Sequence, residues 1–151
     1  MNLEESLEGV TLLFLDSAPV IYFVEQNPQY FLFVRSVFER IQNGLVLGVT
    51  SPVTLAECLV HPYRLGQIRL QQNFINLLLG SNNMIFESVP DSSIAIGAAQ
   101  IRAKYNLQLL DAFQIAVALA AGCEAFLTND VIFRRITELQ VLVLNDFDIA
   151  E

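Results

Sequence analysis

Phe14-Leu15-Asp16-Ser17 is the stretch on which the reading of the whole chain turns. The run 10–15 is short and largely apolar. Glu8-Gly9 bounds it on one side and Asp16-Ser17 on the other, so it reads as a buried strand. The strand ends in a carboxylate, where the chain leaves the sheet. In open α/β sheets that edge is where ligands bind. Asp16 alone would be ordinary. Three more acids, Glu57, Asp111 and Asp130, take comparable places further along.

Outward from this stretch, strands alternate with helices. Ser17 and Pro19 suit the first turn of a short helix over 17–25. Pro28 opens a second helix to about residue 42, and Asn43-Gly44 ends it. Phe31, Leu32, Phe33 and Val34 are consecutive, so apolar groups wrap most of its surface, which reads equally as core or as a partner or dimer face. The second strand covers 45–49. Thr50-Ser51-Pro52 then starts a helix over 52–60, with Leu55 and Leu59 as its buried stripe and Thr54, Glu57 and His61 on another face. His61 reads as a polar terminus, and Pro62 is expected to end the helix. A longer helix follows over 63–79, then a third strand over 84–89. Pro90-Asp91-Ser92 starts a helix to about residue 105. Asp111 opens a helix that ends at Gly122. The fourth strand, 125–127, leads to Thr128-Asn129-Asp130, a short helix over 131–137 and a last strand over 141–144. This order predicts an α/β fold with a five-stranded parallel sheet covered on both faces.

The 151 residues, 54% of them hydrophobic with 11 Phe and no Trp, fit one domain over 1–151 with apolar surface to spare for an interface. Cys58 and Cys123 read as buried free thiols of a cytoplasmic protein. Glu4, Glu5 and Glu8 make an acidic N-terminal tail without the features of a signal peptide, and no apolar stretch is long enough to span a membrane. The net charge of −8 speaks against a nucleic-acid partner. Its distribution weakens that objection. Setting aside the three tail acids and the four at strand and helix ends, 9 of the 16 acids remain against 8 bases. Seven of those bases are Arg, the residue suited to bidentate phosphate contacts.

In a parallel sheet, the C-terminal strand ends and the N-termini of the following helices share one edge. Asp16, Glu57, Asp111 and Asp130 can therefore converge. Clustered carboxylates repel and raise one another's pKa unless a cation joins them. Hard oxygen donors without His or Cys point to Mg²⁺ or Mn²⁺. Such an ion activates water and stabilises charge developing on a phosphate. Ser17 and Thr128 are placed to orient a ligand water or a phosphate oxygen. The bland alternative is a set of scattered helix caps, which Asp111 and Asp130 would both suit. Ala18 and the lack of a Gly-rich phosphate loop speak against other Asp-based phosphate chemistries.

With these residues laid out, the chain resembles a PIN domain from Leu12 to about Asp146. The resemblance is carried by Phe14-Leu15-Asp16-Ser17-Ala18-Pro19-Val20-Ile21-Tyr22, Thr54-Leu55-Ala56-Glu57, Leu110-Asp111-Ala112-Phe113-Gln114-Ile115-Ala116 and Phe126-Leu127-Thr128-Asn129-Asp130. Small PIN proteins include the VapC-type toxin ribonucleases. The resemblance implies a three-layer α/β/α PIN-like fold. It implies that Asp16, Glu57, Asp111 and Asp130 are catalytic ligands of one or two Mg²⁺ or Mn²⁺ ions, with Ser17, Thr128 and Asn129 supporting the metal or the phosphate. It implies metal-dependent endoribonuclease activity that leaves a 5′-phosphate, a homodimer, and an antitoxin protein partner seated near the first helices. Two positions depart from the family's fuller pattern. Ala18 replaces an amide and Ile132 replaces a further acid, so the site is leaner and one ion is the simpler expectation. Two other readings remain open: a catalytically weak or inactive PIN-fold module that binds RNA or a protein partner, and a nuclease for structured DNA. The chain lacks the long helical insertions and basic arch that structured DNA would need.

Overall fold

A computed structural model describes residues 2–88 and 92–147. In chain order the elements are α1 (Leu3–Ser6), β1 (Leu12–Leu15), α2 (Ser17–Val24), α3 (Phe31–Gln42), β2 (Leu47–Thr50), α4 (Pro52–Arg64), α5 (Ile68–Gly80), β3 (Met84–Phe86), α6 (Ser92–Tyr105), α7 (Leu109–Ala120), β4 (Ala125–Thr128) and β5 (Gln140–Val143), with short 3-10 helices at Val131–Arg135 and Leu144–Asp146. The five strands form one parallel sheet in the order β3-β2-β1-β4-β5. Helices cover both faces, giving the three-layer α/β/α architecture expected from the sequence.

Side-chain alternation along the strands builds two cores. Leu13 and Leu15 of β1, with Ala125 and Leu127 of β4, face α1 to α5. Phe14 and Phe126 face α6 and α7, and their rings stack at 5.2 Å. Both rings are fully buried, and each contributes about 1.5–3 kcal/mol by leaving water. On β2, a Cβ at Gly48 would meet Met84 Sδ at 2.7 Å and Ile41 Cδ1 at 3.0 Å, so a larger residue there would need the Met84 and Ile41 side chains to shift.

Several boundaries differ from the sequence reading for identifiable reasons. The N-terminal segment is docked rather than a free acidic tail. Asn2 caps α1, and Leu3 and Leu7, one turn apart, enter the core. The Asn27 side chain accepts hydrogen bonds from the amides of Gln29 and Tyr30, which holds residues 28–30 as a turn and delays α3 to Phe31. Most of the apolar α3 face is core: Val34, Val37, Phe38 and Ile41 are buried, while Leu32 is 54% exposed. The larger group of exposed apolar side chains lies at the α4–α5 corner, in Val60, Tyr63, Leu65 and Ile68. Helix α4 does not stop at Pro62. A proline in a last turn removes a single amide donor, and the chain runs on until Gly66, whose φ of +63° turns it into α5. The buried stripe of α4 is Thr54, Cys58 and Pro62, with Leu55 and Leu59 half-buried beside it. Residue 89, where the third strand was expected to end, and Pro90-Asp91 lie outside the described residues.

Candidate active site

Strand order reverses between β1 and β4. Chains leaving these two neighbours diverge, which opens a crevice at their C-terminal ends. Asp16 stands there as the N-cap residue of α2, with its own amide bonded to the Leu127 carbonyl at 3.0 Å. Its side chain makes no capping bond to α2. Instead, Asp16 Oδ2 accepts a hydrogen bond of 2.8 Å from the Thr128 hydroxyl, and that hydroxyl oxygen accepts the Asp130 amide at 3.0 Å. One threonine thus links the ends of the two strands that frame the crevice.

The remaining acids come from three other elements. Glu57 lies in α4, in its second turn, and is exposed. Asp111 sits in the first turn of α7 and is half-buried. Asp130 is exposed and caps the 3-10 helix after β4, its Oδ1 accepting the Ile132 amide at 3.0 Å. For Asp130, the capping role weighed from sequence is therefore present.

Electrostatics join these positions. Asp16 is only 8% exposed, and burial raises its pKa. Thr128, the Ser17 amide and Gln114 act the other way as hydrogen-bond donors, while the charge of Asp130 pushes it up further. Although the Glu57 residue is largely exposed, partial desolvation of its carboxyl raises its pKa, followed by the charges of Asp16 and Asp111, with the Ser17 hydroxyl opposing. Asp111 is pushed up to about 6 by burial and then by Asp16 and Asp130. Asp16 is thus within electrostatic reach of all three other acids. The ion pairs among the described residues are Arg35–Glu39, Lys104–Glu138 and Arg134–Asp146, so none of the four acids has a basic partner there. Among the described residues, no group of three or more His, Cys, Asp or Glu side chains stands close enough to hold a metal ion. The donor set fits a hard divalent cation chemically, being all carboxylate oxygen with uncompensated repulsion, whereas the side chains are not drawn around one point.

The other residues marked from sequence differ in use. Ser17 opposes the rise in the Glu57 pKa. Asn129 spends its amide inside the fold: Nδ2 donates to the Tyr22 hydroxyl at 3.1 Å, and Oδ1 accepts the Asn145 amide at 2.9 Å. Ala18 and Ile132 are half-buried and offer no polar side chain. Gln114 helped to carry the family resemblance but was given no role from sequence. It is 1% exposed and hydrogen-bonds Ser51 and Thr54 of the α4 start. The signal was present, because Gln114 follows Asp111 by one helical turn.

The PIN domain family model matches residues 13–139. Among curated proteins there is no significant match. Similar solved structures include VapBC2 from Rickettsia felis bound to a promoter DNA fragment, at 15% identity and a TM-score of 0.66, covering 88% of this chain and 98% of that one. A toxin–antitoxin complex from Klebsiella pneumoniae matches at 18% identity and a TM-score of 0.67, covering 87% and 97%. VapC20 from Mycobacterium tuberculosis, described as a sarcin-ricin loop cleaving toxin, matches at 15% identity and a TM-score of 0.61, covering 76% and 86%. At these identities the likeness is one of fold, whereas the family match spans most of the sequence. The chain belongs to the PIN domain family.

Proposed function

We propose that this protein is a metal-dependent endoribonuclease of the toxin–antitoxin type, with Asp16, Glu57, Asp111 and Asp130 holding one or two Mg²⁺ or Mn²⁺ ions. The carrying observation is the mutual electrostatic coupling of four carboxylates from four elements at the β1/β4 crevice, without a basic partner. A bound divalent ion supplies a water of lowered pKa and offsets charge developing on the scissile phosphate. The chain's own residues supply orientation. Thr128 fixes the Asp16 carboxylate on the strand end, and Ser17 favours the charged form of Glu57. Water attack on phosphorus then breaks the bond to the 3′ oxygen and leaves a 5′-phosphate.

Likeness to VapBC2 and to a toxin described as cleaving the sarcin-ricin loop supports this class of activity. The proposed partners are an RNA substrate, an antitoxin protein and a second copy of the chain. The apolar α4–α5 corner supplies surface for one of the protein partners. No helix among the described residues is long and apolar enough to cross a membrane.

One observation favours a second reading, a non-catalytic module that binds RNA or protein. The acids are not gathered around a single point, and Asp130 already serves as a cap. Purified protein incubated with total cellular RNA, in Mn²⁺ or Mg²⁺ against EDTA, separates the two. Discrete metal-dependent products absent from Asp111→Asn support the nuclease. Failure of the wild type to bind Mn²⁺ at all supports the module.

A further inference from the structure

A buried hydrogen-bond chain joins the three elements that carry Asp16, Glu57 and Asp111. Gln114 of α7 donates from Nε2 to Thr54 Oγ1 of α4 at 2.8 Å. The Thr54 hydroxyl donates onward to the Leu15 carbonyl of β1 at 3.2 Å. Gln114 Oε1 accepts from the Ser51 hydroxyl, whose oxygen in turn caps α4 by accepting the Val53 amide at 3.1 Å. Ser51 and Thr54 are fully buried, and Gln114 is 1% exposed.

The spacing gives this chain a role beyond satisfying polar groups. Gln114 follows Asp111 by one helical turn, Thr54 precedes Glu57 by one turn, and Leu15 is the residue before Asp16. Residues three apart on a helix are neighbours, so Gln114 and Thr54 each lie a turn from an acid, and Leu15 is joined to Asp16 directly by the backbone. Moving any anchor moves its acid. A buried amide whose acceptor and donor are both engaged has one stable rotamer, which fixes the separation of α4, α7 and β1. A network that served only as the cap of α4 would need Ser51 alone.

We propose that Gln114, acting through Thr54, is a positioning residue that sets the mutual placement of Asp16, Glu57 and Asp111 and thereby the affinity of the site for a divalent cation. This deepens the nuclease reading and rests on it. The test is Mn²⁺ affinity by isothermal titration calorimetry, at a temperature where urea melts show every variant fully folded, for wild type, Gln114→Met, Thr54→Val and Thr54→Ser. Losing a group that orients a ligand costs about tenfold or more in metal affinity. Gln114→Met and Thr54→Val are each expected to bind Mn²⁺ at least about tenfold more weakly, and Thr54→Ser, which keeps the hydroxyl, to bind like wild type. Should Gln114→Met not fold, the Thr54→Val and Thr54→Ser pair decides alone. Lowered urea midpoints with unchanged Mn²⁺ affinity overturn the positioning role and leave the nuclease reading standing. A wild type that binds no Mn²⁺ overturns both.

Discussion

Strand β1 has a carboxylate near each end, and the two live in opposite circumstances. At its N-terminal end, Glu124 receives the Thr11 hydroxyl at 2.7 Å, the Leu12 amide at 2.9 Å and the Thr11 amide at 3.0 Å. Those bonds hold its pKa below the usual carboxylate range, the Thr11 hydroxyl contributing most. At the C-terminal end, Asp16 is buried, raised by that burial, and within electrostatic reach of the other three acids. Glu124 ties the start of β1 to the start of β4, because the hydrogen bonds around it outweigh its desolvation and favour its charge. Asp16 has a charge that the protein alone leaves poorly compensated. The contrast teaches where to look for function: at the carboxylate whose surroundings do not explain it.

The largest way to break this comparison is in catalysis. Asp111→Asn and Asp16→Asn are each expected to lower metal-dependent RNA cleavage by about a hundredfold or more, since several kcal/mol of transition-state stabilisation depends on the carboxylate set. Glu124→Gln is expected to leave cleavage near wild type at a temperature where it is folded. Equal losses at both ends of β1, read from initial rates on one RNA, would dissolve the distinction.

Metal binding tests the same contrast without substrate. Mn²⁺ at a hundred times its dissociation constant is expected to stabilise the fold by about 2.7 kcal/mol. The gain should vanish on EDTA addition and in Asp16→Asn, and persist in Glu124→Gln. Urea melts with and without Mn²⁺ measure it.

The contrast explains what the sequence could disclose. The positions of Asp16, Asp111 and Asp130 could be read because each follows an apolar run at a strand end or helix start, and that of Glu57 because it lies one turn inside the helix after the second strand; parallel topology sends such points toward one edge, and their joint role remains the proposal. The strand alternation that sorts Leu13 and Leu15 from Phe14 is local as well. The Ser51–Gln114–Thr54 chain was not legible, because its bonds join residues about sixty positions apart and a polar residue within an apolar helix looks like a break until its partner is known. The α1 docking was hidden for the opposite reason: Glu4, Glu5 and Glu8 dominate a segment whose fate is set by Leu3 and Leu7. Pro62 misled because its missing amide matters little in a last turn, and Gly66 was the true stop.

In the metal-free protein, removing charge at the two ends of β1 should shift stability in opposite directions. Asp16→Asn relieves a buried, poorly compensated charge while keeping an oxygen for Thr128. It is expected to raise stability by about 1–2 kcal/mol in EDTA. Glu124→Gln loses charge-assisted bonds at an exposed site and is expected to cost about 1 kcal/mol. Urea midpoints of the two variants measure both, and two shifts of the same sign would contradict the assignment of one group as satisfied and the other as strained.

The smallest expected effect is the dependence of metal-free stability on pH, where the two groups also diverge in sign. Asp111 has a folded pKa of about 6, above its ordinary value, so the folded state holds its proton more tightly than the unfolded chain does. Its contribution is therefore full below about pH 4 and is lost as pH rises through about 6. A shift of this size corresponds to about 3 kcal/mol for a fully buried group, and solvent around this half-exposed one reduces it to about 1 kcal/mol. Glu124 behaves inversely. Its folded pKa is lowered, so its contribution is present above its unfolded pKa and is lost as pH falls through the folded value. Urea midpoints followed in EDTA between about pH 3 and 7 should thus flatten between about pH 4 and 6 in Asp111→Asn, and lose part of their acid limb in Glu124→Gln. If Asp111→Asn leaves the pH 4–6 slope untouched, the carboxylates at the crevice are not repelling one another. The reason for placing a divalent cation among them then falls, even if the fold is unchanged.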